Sequence, residues 1–464
     1  MIIRVACLIT MNEGGFMPSN QRDFTHGNIF KSLFFFSGPI MLTNLLQSSF
    51  QIIASLWVGN LLGAHALGAV AISTTILLTM LSFIIGLNNA VLTILSQFFG
   101  KKDYQGLKQY LNAFVVVMTT MAIIFGALGF IFSKQLLLLM GTPESLLGQA
   151  NTYLQISFLG ILFLFGYNFV NTVSRALGDS KTPMRIVFLA VVLNAFLAPL
   201  FIGGFQLGIA GAALSTVVSQ GLAFIYSLYH SMKHELVPFT IPKVPSIEQV
   251  LLILKLGIPA GLQMAVIQGG NAAILSVVTQ FGGDTVAGFS ASQRLDSLIM
   301  LPAMALGTAV NSMAGQNIGV GDWKRVRQIA KVSALYNFMI MTTIALIVIL
   351  VADVAIRFFI QDPEAVNFGS HYLRIVALCY PFLGLNFVFN GIVRASGAMY
   401  QVLILNIISF WILRFPLTEL FSKMFGQNGI AIGMGIGFII SSIFAVSYYQ
   451  FGKWDQKVIT EENK

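Results

Sequence analysis

The chain has 464 residues, of which 56% are hydrophobic and 9% charged, with a formal net charge of +9. A soluble domain carries about 25% charged residues, so a water-soluble globular protein is excluded. Apolar runs of membrane-spanning length recur from end to end without strand alternation, which predicts an all-α polytopic membrane protein and argues against an outer-membrane barrel.

In chain order, Met1 to Met17 holds a short apolar run, too short to span and followed by no convincing cleavage site; Met11 or Met17 could be the true start. Residues 1–25 are therefore read as an N-terminal cytoplasmic segment. Twelve spans follow, at 33–59, 69–98, 111–133, 152–174, 186–204, 209–231, 251–281, 286–316, 332–355, 372–393, 399–421 and 429–450. Pro39, Pro259, Pro302 and Pro416 fall inside or near the ends of spans and are expected kink points.

Lys and Arg gather before the first span (Arg22, Lys31) and after the even-numbered ones, as in Lys101, Lys102 and Lys108, in Lys324, Arg325, Arg327 and Lys331, and in Lys453 and Lys457. The odd-numbered connections are poor in them, with Lys134, Arg357 and Lys423 as exceptions. The positive-inside rule then places both termini in the cytoplasm. The basic balance follows from these loops and implies no nucleic-acid partner. Cys7 and Cys379 give neither a disulfide framework nor metal spacing, and the five histidines form no HExxH arrangement. No cofactor or metal site is expected.

The two halves repeat. Pro39 matches Pro259, and Gly63 and Gly68 match Gly283 and Gly288, at an offset of 220. Gln97, Gly100 and Asp103 match Gln316, Gly319 and Asp322 at 219; Tyr153-Leu154 matches Tyr372-Leu373 at 219. Arg175-Ala-Leu-Gly178 matches Arg394-Ala-Ser-Gly397 at 219, and Gly208-Ile-Ala210 matches Gly429-Ile-Ala431 at 221. Six spans per half keep both halves in one orientation, with a pseudo-two-fold along the membrane normal. The expected organisation is an N-lobe at 26–232, a cytoplasmic linker at 233–249 with Pro238, Pro242 and Pro245, a C-lobe at 250–451 and a cytoplasmic tail at 452–464.

Several stretches together resemble the multidrug and toxic compound extrusion (MATE) transporters, in their DinF-like branch: 37–47, 174–184, 208–220, 257–263 and 293–323. The resemblance implies two six-helix bundles, and export of small, often cationic and amphipathic compounds driven by entry of H⁺ or Na⁺. It also implies a multi-pass protein of the cell (inner) membrane, acting on small molecules within the lipid bilayer, not an enzyme, and expected to be a monomer. Two departures stand out. Ala54 occupies the position of the family's first-helix Asp, and in Asn194-Ala-Phe-Leu-Ala198-Pro199 the Asn remains while the Asp is Ala198. The family's acidic N-lobe cation site is therefore missing.

Charges inside spans are costly and are functional candidates by default. Asp296 is the acidic residue placed deepest in a span, about 7 Å to the outer side of the eighth span's middle at 1.5 Å per residue. It is the ion-coupling candidate; the alternative is a structural tether to a basic or backbone group of another helix. Arg294 and Asp296 lie two positions apart and do not face each other, so each looks to another helix or to water. Arg414, in the eleventh span, is a possible partner for Asp296 or an anion-facing cavity residue; as a bland alternative it snorkels to the interface. Substrate-cavity candidates are Arg294 and Arg414 with the amides Asn44, Gln47, Gln51, Asn194, Gln263, Gln268, Asn271, Gln293, Asn386 and Asn390; such amides also serve simply as helix glue. Arg175 and Gly178, with Arg394 and Gly397, read as structural hinges: the arginine meets the carbonyl end of its helix and the glycine permits the turn. A secondary active exporter is the first functional reading, and a flippase for a lipid or lipid-linked precursor is the alternative.

Overall fold

The computed structural model describes residues 22–233, 237, 242–455 and 459. The proposed starts at Met11 and Met17, and part of the linker at 233–249, lie outside them.

Among the described residues the chain is helical, without strands. The first helix, α1, runs Ile29–Gly100. Its 72 residues would reach about 110 Å at 1.5 Å per residue, far beyond a hydrocarbon core of about 30 Å. It breaks at Gly63, whose φ of 82° and ψ of −177° suit only a residue without Cβ, and so becomes two spans. Pro39, an expected kink point, sits inside the helix without a break. There follow α2 (Tyr104–Leu139), α3 (Glu144–Leu159), α4 (Ile161–Ala176), α5 (Lys181–Pro199) running into a π turn at Leu200–Gly204, and α6 (Gly208–Lys233). The second half has α7 (Ile247–Val278), α8 (Gly283–Ile299), α9 (Leu301–Val320), α10 (Trp323–Arg357), α11 (Pro363–Ala377) and α12 (Tyr380–Ala395). It closes with α13 (Met399–Ile407), a π segment at Ile408–Arg414, α14 (Phe415–Phe425) and α15 (Asn428–Phe451).

Among the described residues twelve spans result once α1 is divided at Gly63 and the pairs α3–α4 and α11–α12 are each taken as one crossing. Those two pairs are bent by 51° and 54°, where the sequence suggests unbroken spans at 152–174 and 372–393. The physical reasons differ. At Gly160 a Cβ would collide with the side chain of Val217. In the later pair Pro381, in the first turn of α12, has no N–H to bond back to residue 377, so the α11 ladder cannot continue. The eighth span also divides, at Met300, just before Pro302 in the first turn of α9.

Two compact units account for the contacts. Among the described residues the first gathers 22–23, 46–80 and 94–254; the second gathers 24–45, 81–93 and those from 255 to 459. Apolar clusters in the first unit include one with Val58, Val70, Tyr153 and Ala213 and another with Phe50, Tyr167, Ile186 and Ala223. In the second unit one cluster joins Phe24, Phe36, Met313 and Val388, and another joins Phe289, Tyr372, Tyr380 and Phe438.

The repeat is carried by contacts as well as by letters. The Ser73 hydroxyl donates to the Ala150 carbonyl at 3.0 Å, and Ser292, 219 positions later, donates to the Gly369 carbonyl at 3.1 Å, also 219 positions on from Ala150. Asp103 caps α2 by accepting from the Gly106 N–H at 2.9 Å; Asp322 caps α10 by accepting from the Arg325 N–H at 2.9 Å. Each satisfies one of the donors a helix start leaves without an internal partner. This explains why the two aspartates recur.

Candidate functional site

Asp296 lies one turn before the break at Met300, half-buried on α8. Tyr380 is the first residue of α12, immediately after the bend that divides the tenth span. Its hydroxyl donates to Asp296 Oδ1. Two discontinuous spans thus bring a carboxylate and a phenol together inside the second unit. Broken helices are where membrane transporters place their polar chemistry, because backbone groups freed by the break also need partners. Tyr372, one helix turn and a bend earlier, is buried and within electrostatic reach of both Asp296 and Arg414.

Arg414 closes the π segment and is 6% exposed. Its guanidinium lies over the Phe410 ring at 4.0 Å and the Phe438 ring at 4.5 Å. The π register places Arg414 against Gly437 of α15, where a Cβ would stand 2.8 Å from Arg414 Cγ. This position corrects two expectations. Arg414 does not snorkel to an interface; it is buried between aromatic rings. Nor is it the partner of Asp296: among the described residues neither Arg414 nor Arg294 forms an ion pair with that carboxylate, whose partner is Tyr380. Arg294 is exposed on α8.

The amides fall into separate groups. Asn386 and Asn390 meet on α12, the Asn390 amide donating to Asn386 Oδ1, while Asn386 donates to the Ser441 carbonyl at 3.4 Å. Gln263 is buried on α7, Asn271 half-buried and Gln268 exposed; Gln293 is half-buried beside Asp296's turn. Asn44, Gln47 and Gln51 share one helix stripe, yet Asn44 belongs to the second unit and the other two to the first. In the first unit Gln47 reaches the hydroxyl of Tyr167. Asn194 is fully buried there, with both amide atoms unpartnered. Gly178 and Gly397 have φ of 83° and 95°, a left-handed conformation at the end of each Arg-Ala-x-Gly turn. Arg394 Nε donates to the Asn390 carbonyl at 3.3 Å, one turn back on its own helix.

The first unit has no equivalent of the Asp296–Tyr380 pair. At the repeat offset of 219, Tyr380 corresponds to Ile161, and Asp296 corresponds to Leu77. Ala198 is buried and Ala54 half-buried, and neither side chain can hold a cation. Among the described residues no group of three His, Cys, Asp or Glu could ligate a metal. Sequence reasoning missed both tyrosines as site residues. Tyr372 was visible as a repeat position, and Tyr380 had a signal in the Tyr-Pro pair at the middle of a span.

Comparison with known proteins gives a consistent outcome. The MatE family model matches residues 39–200 and again 259–420, the two copies of the repeat. The chain is similar to the probable multidrug resistance protein YpnP of Bacillus subtilis, at 60% identity over 95% of this chain and 99% of that one. It is also similar to the probable multidrug resistance protein YoeA of the same organism, at 28% identity over 93% and 96%. Among solved structures, the Vibrio cholerae MATE transporter VcmN in its bent form superposes with a TM-score of 0.86 at 22% identity, covering 92% of this chain and 97% of that one.

Proposed function

Because the chain belongs to the MatE family and is a membrane transporter rather than an enzyme, we propose that it exports small amphipathic or cationic compounds by antiport with H⁺ or Na⁺, through alternating access of its two halves. The names of YpnP and YoeA support multidrug export as the activity. The observation that carries coupling is the Asp296–Tyr380 contact, in which a carboxylate of one broken span meets a hydroxyl of another.

A carboxylate in that place can hold a proton or lose it, and the phenol can stay bonded in both states. Tyr380 donates to the ionised carboxylate, and its oxygen can accept from the protonated one. Ionised Asp296 attracts cationic cargo from the cytoplasm; protonation from the other side releases it. The orientation follows from the loop charges, with both termini and the linker at 233–249 cytoplasmic. The missing N-lobe acids, Ala54 and Ala198, leave the second half to carry coupling.

The test uses purified protein in liposomes with independently imposed pH and Na⁺ gradients, scoring efflux of a cationic dye and, separately, movement of a labelled lipid. Asp296→Asn keeps shape and removes titration. The protein should stay folded and gradient-driven accumulation should vanish. Undiminished accumulation by Asp296→Asn would reduce Asp296 to a structural tether, and lipid movement without dye movement would replace export by flipping.

A further inference from the structure

The two halves share a scaffold, so a place where they differ in polar chemistry is informative. Tyr153 and Tyr372 are repeat mates at an offset of 219. In the first unit Thr74 and Thr216 both stand within hydrogen-bonding reach of the Tyr153 hydroxyl. The corresponding positions in the second half are Gln293 (offset 219) and Gly437 (offset 221). Gly437 has no hydroxyl to offer, and the room it leaves is taken by the stem of Arg414. The result is that Tyr372, 1% exposed, has a hydroxyl with no hydrogen-bond partner, within electrostatic reach of a buried guanidinium whose Nε also has none. One helix turn on from Arg414, the fully buried Thr418 hydroxyl is unpartnered as well.

A buried, unpaired cation is expensive, and a buried hydroxyl without a partner costs about 1–3 kcal/mol. The rings of Phe410 and Phe438 cover the faces of the guanidinium, and such stacking recovers only about 0.5–2 kcal/mol. Stacking leaves the guanidinium edge free, and the edge is the part that matches a planar carboxylate in two parallel hydrogen bonds. Lysine could not do this. Arg414 is also held in a π segment, a helix register that recurs at functional sites.

We propose that Arg414, with Tyr372 and Thr418, binds a single monoanionic group, the carboxylate of the cargo, so that the transporter recognises zwitterionic amphipaths. This rests on the export reading above and deepens it. Asp296 supplies the negative pole for a cationic amine, Arg414 the positive pole for a carboxylate, and Tyr372 is within electrostatic reach of both. The two poles do not neutralise each other, since Asp296 is bonded to Tyr380 and Arg414 is stacked on rings. A free small anion would share the same chemistry at Arg414.

The experiment is equilibrium binding to the purified full chain in detergent, read from tryptophan quenching; Trp411 lies in the same π segment, its indole N–H donating to the Val266 carbonyl at 3.2 Å. The probes are a rhodamine bearing a free carboxylate, which is zwitterionic, and the same dye as its ethyl ester, which is only cationic. Wild type should bind the acid at least about tenfold more tightly than the ester. Arg414→Gln should erase that preference while leaving ester binding intact, and Tyr372→Phe and Thr418→Val should each narrow it, which keeps the idea testable where Arg414→Gln does not fold. Titrating chloride into a buffer free of carboxylate anions separates the sources. Competition by chloride at millimolar concentration, lost in Arg414→Gln, marks a free-anion site with the same residues. Equal affinity of wild type for acid and ester with no effect of chloride overturns the proposal, and so does a preference that persists in Arg414→Gln. Because binding needs no gradient, acid-selective binding without gradient-driven efflux would uphold the site and refute the export reading instead.

Discussion

Phe24 offers the most direct measure of how the start of the chain is held. It is fully buried in the second unit, edge-to-face on Phe36 at 4.8 Å. Its N–H donates to Gln316 Oε1 at 2.9 Å, and its carbonyl accepts from Asn317 Nδ2 at 3.1 Å and Arg325 Nε at 3.0 Å. Arg325 also donates to the His26 and Gly27 carbonyls at 2.8 and 2.9 Å. Phe→Ala in a core costs about 3–5 kcal/mol. Here the residue lies ahead of the first helix, so the segment can lift away instead of leaving a hole. The loss should therefore appear as local opening, not as global unfolding. At about 1.4 kcal/mol per factor of ten, amide exchange over residues 24–28 should accelerate by about two to three and a half powers of ten in Phe24→Ala, with the melting temperature little changed. Arg325→Ala, which removes three partly exposed hydrogen bonds and no apolar area, should accelerate the same amides by about one power of ten. Hydrogen–deuterium exchange by mass spectrometry in detergent reads both. Unchanged exchange at Phe24, whose N–H reports its own bond to Gln316, would show that the segment is not docked as described.

Other outcomes follow from single positions. Gly63→Ala forces a Cβ into a conformation only glycine favours and should destabilise by about 1–3 kcal/mol in thermal unfolding; a melting temperature at or above wild type would contradict the break. Gly148→Ala, inside α3 with nothing within 4 Å of its new methyl, should stabilise by about 0.5–1 kcal/mol in the same assay. A thiol placed by Ser246→Cys should resist impermeant reagents in intact cells and react after permeabilisation; labelling from outside would invert the topology.

The architecture was legible because hydropathy and loop charge report the solvent directly: a span must be apolar whatever it packs against. The repeat was legible because its markers are local. Asp103 and Asp322 are caps, and a cap needs only its own turn. The two bends were not legible from composition, since one depends on what lies beside Gly160, and the value of Pro381 as a breaker is indistinguishable in sequence from that of Pro39, which breaks nothing. Asp296 was found because a carboxylate in a span is conspicuous. Its partner is not legible, because charge arithmetic offers an arginine whereas the bend delivers Tyr380. For Arg414 the sequence left a cavity residue and an interfacial arginine both open, because the π register and Gly437, which bury it, leave no trace in hydropathy.

The paired serines have a practical consequence. Ser73 and Ser292 make the same bond in the same place of each half, but the helix that accepts from Ser73 carries Tyr153, with two threonines in reach, and the one that accepts from Ser292 carries Tyr372, left unpartnered within electrostatic reach of an acid and a base. The molecule thereby carries its own control experiment. A change made at Ser73 reports what the joint contributes as carpentry, and the same change at Ser292 reports carpentry plus chemistry. Whatever distinguishes the two belongs to the machinery that only one half has acquired.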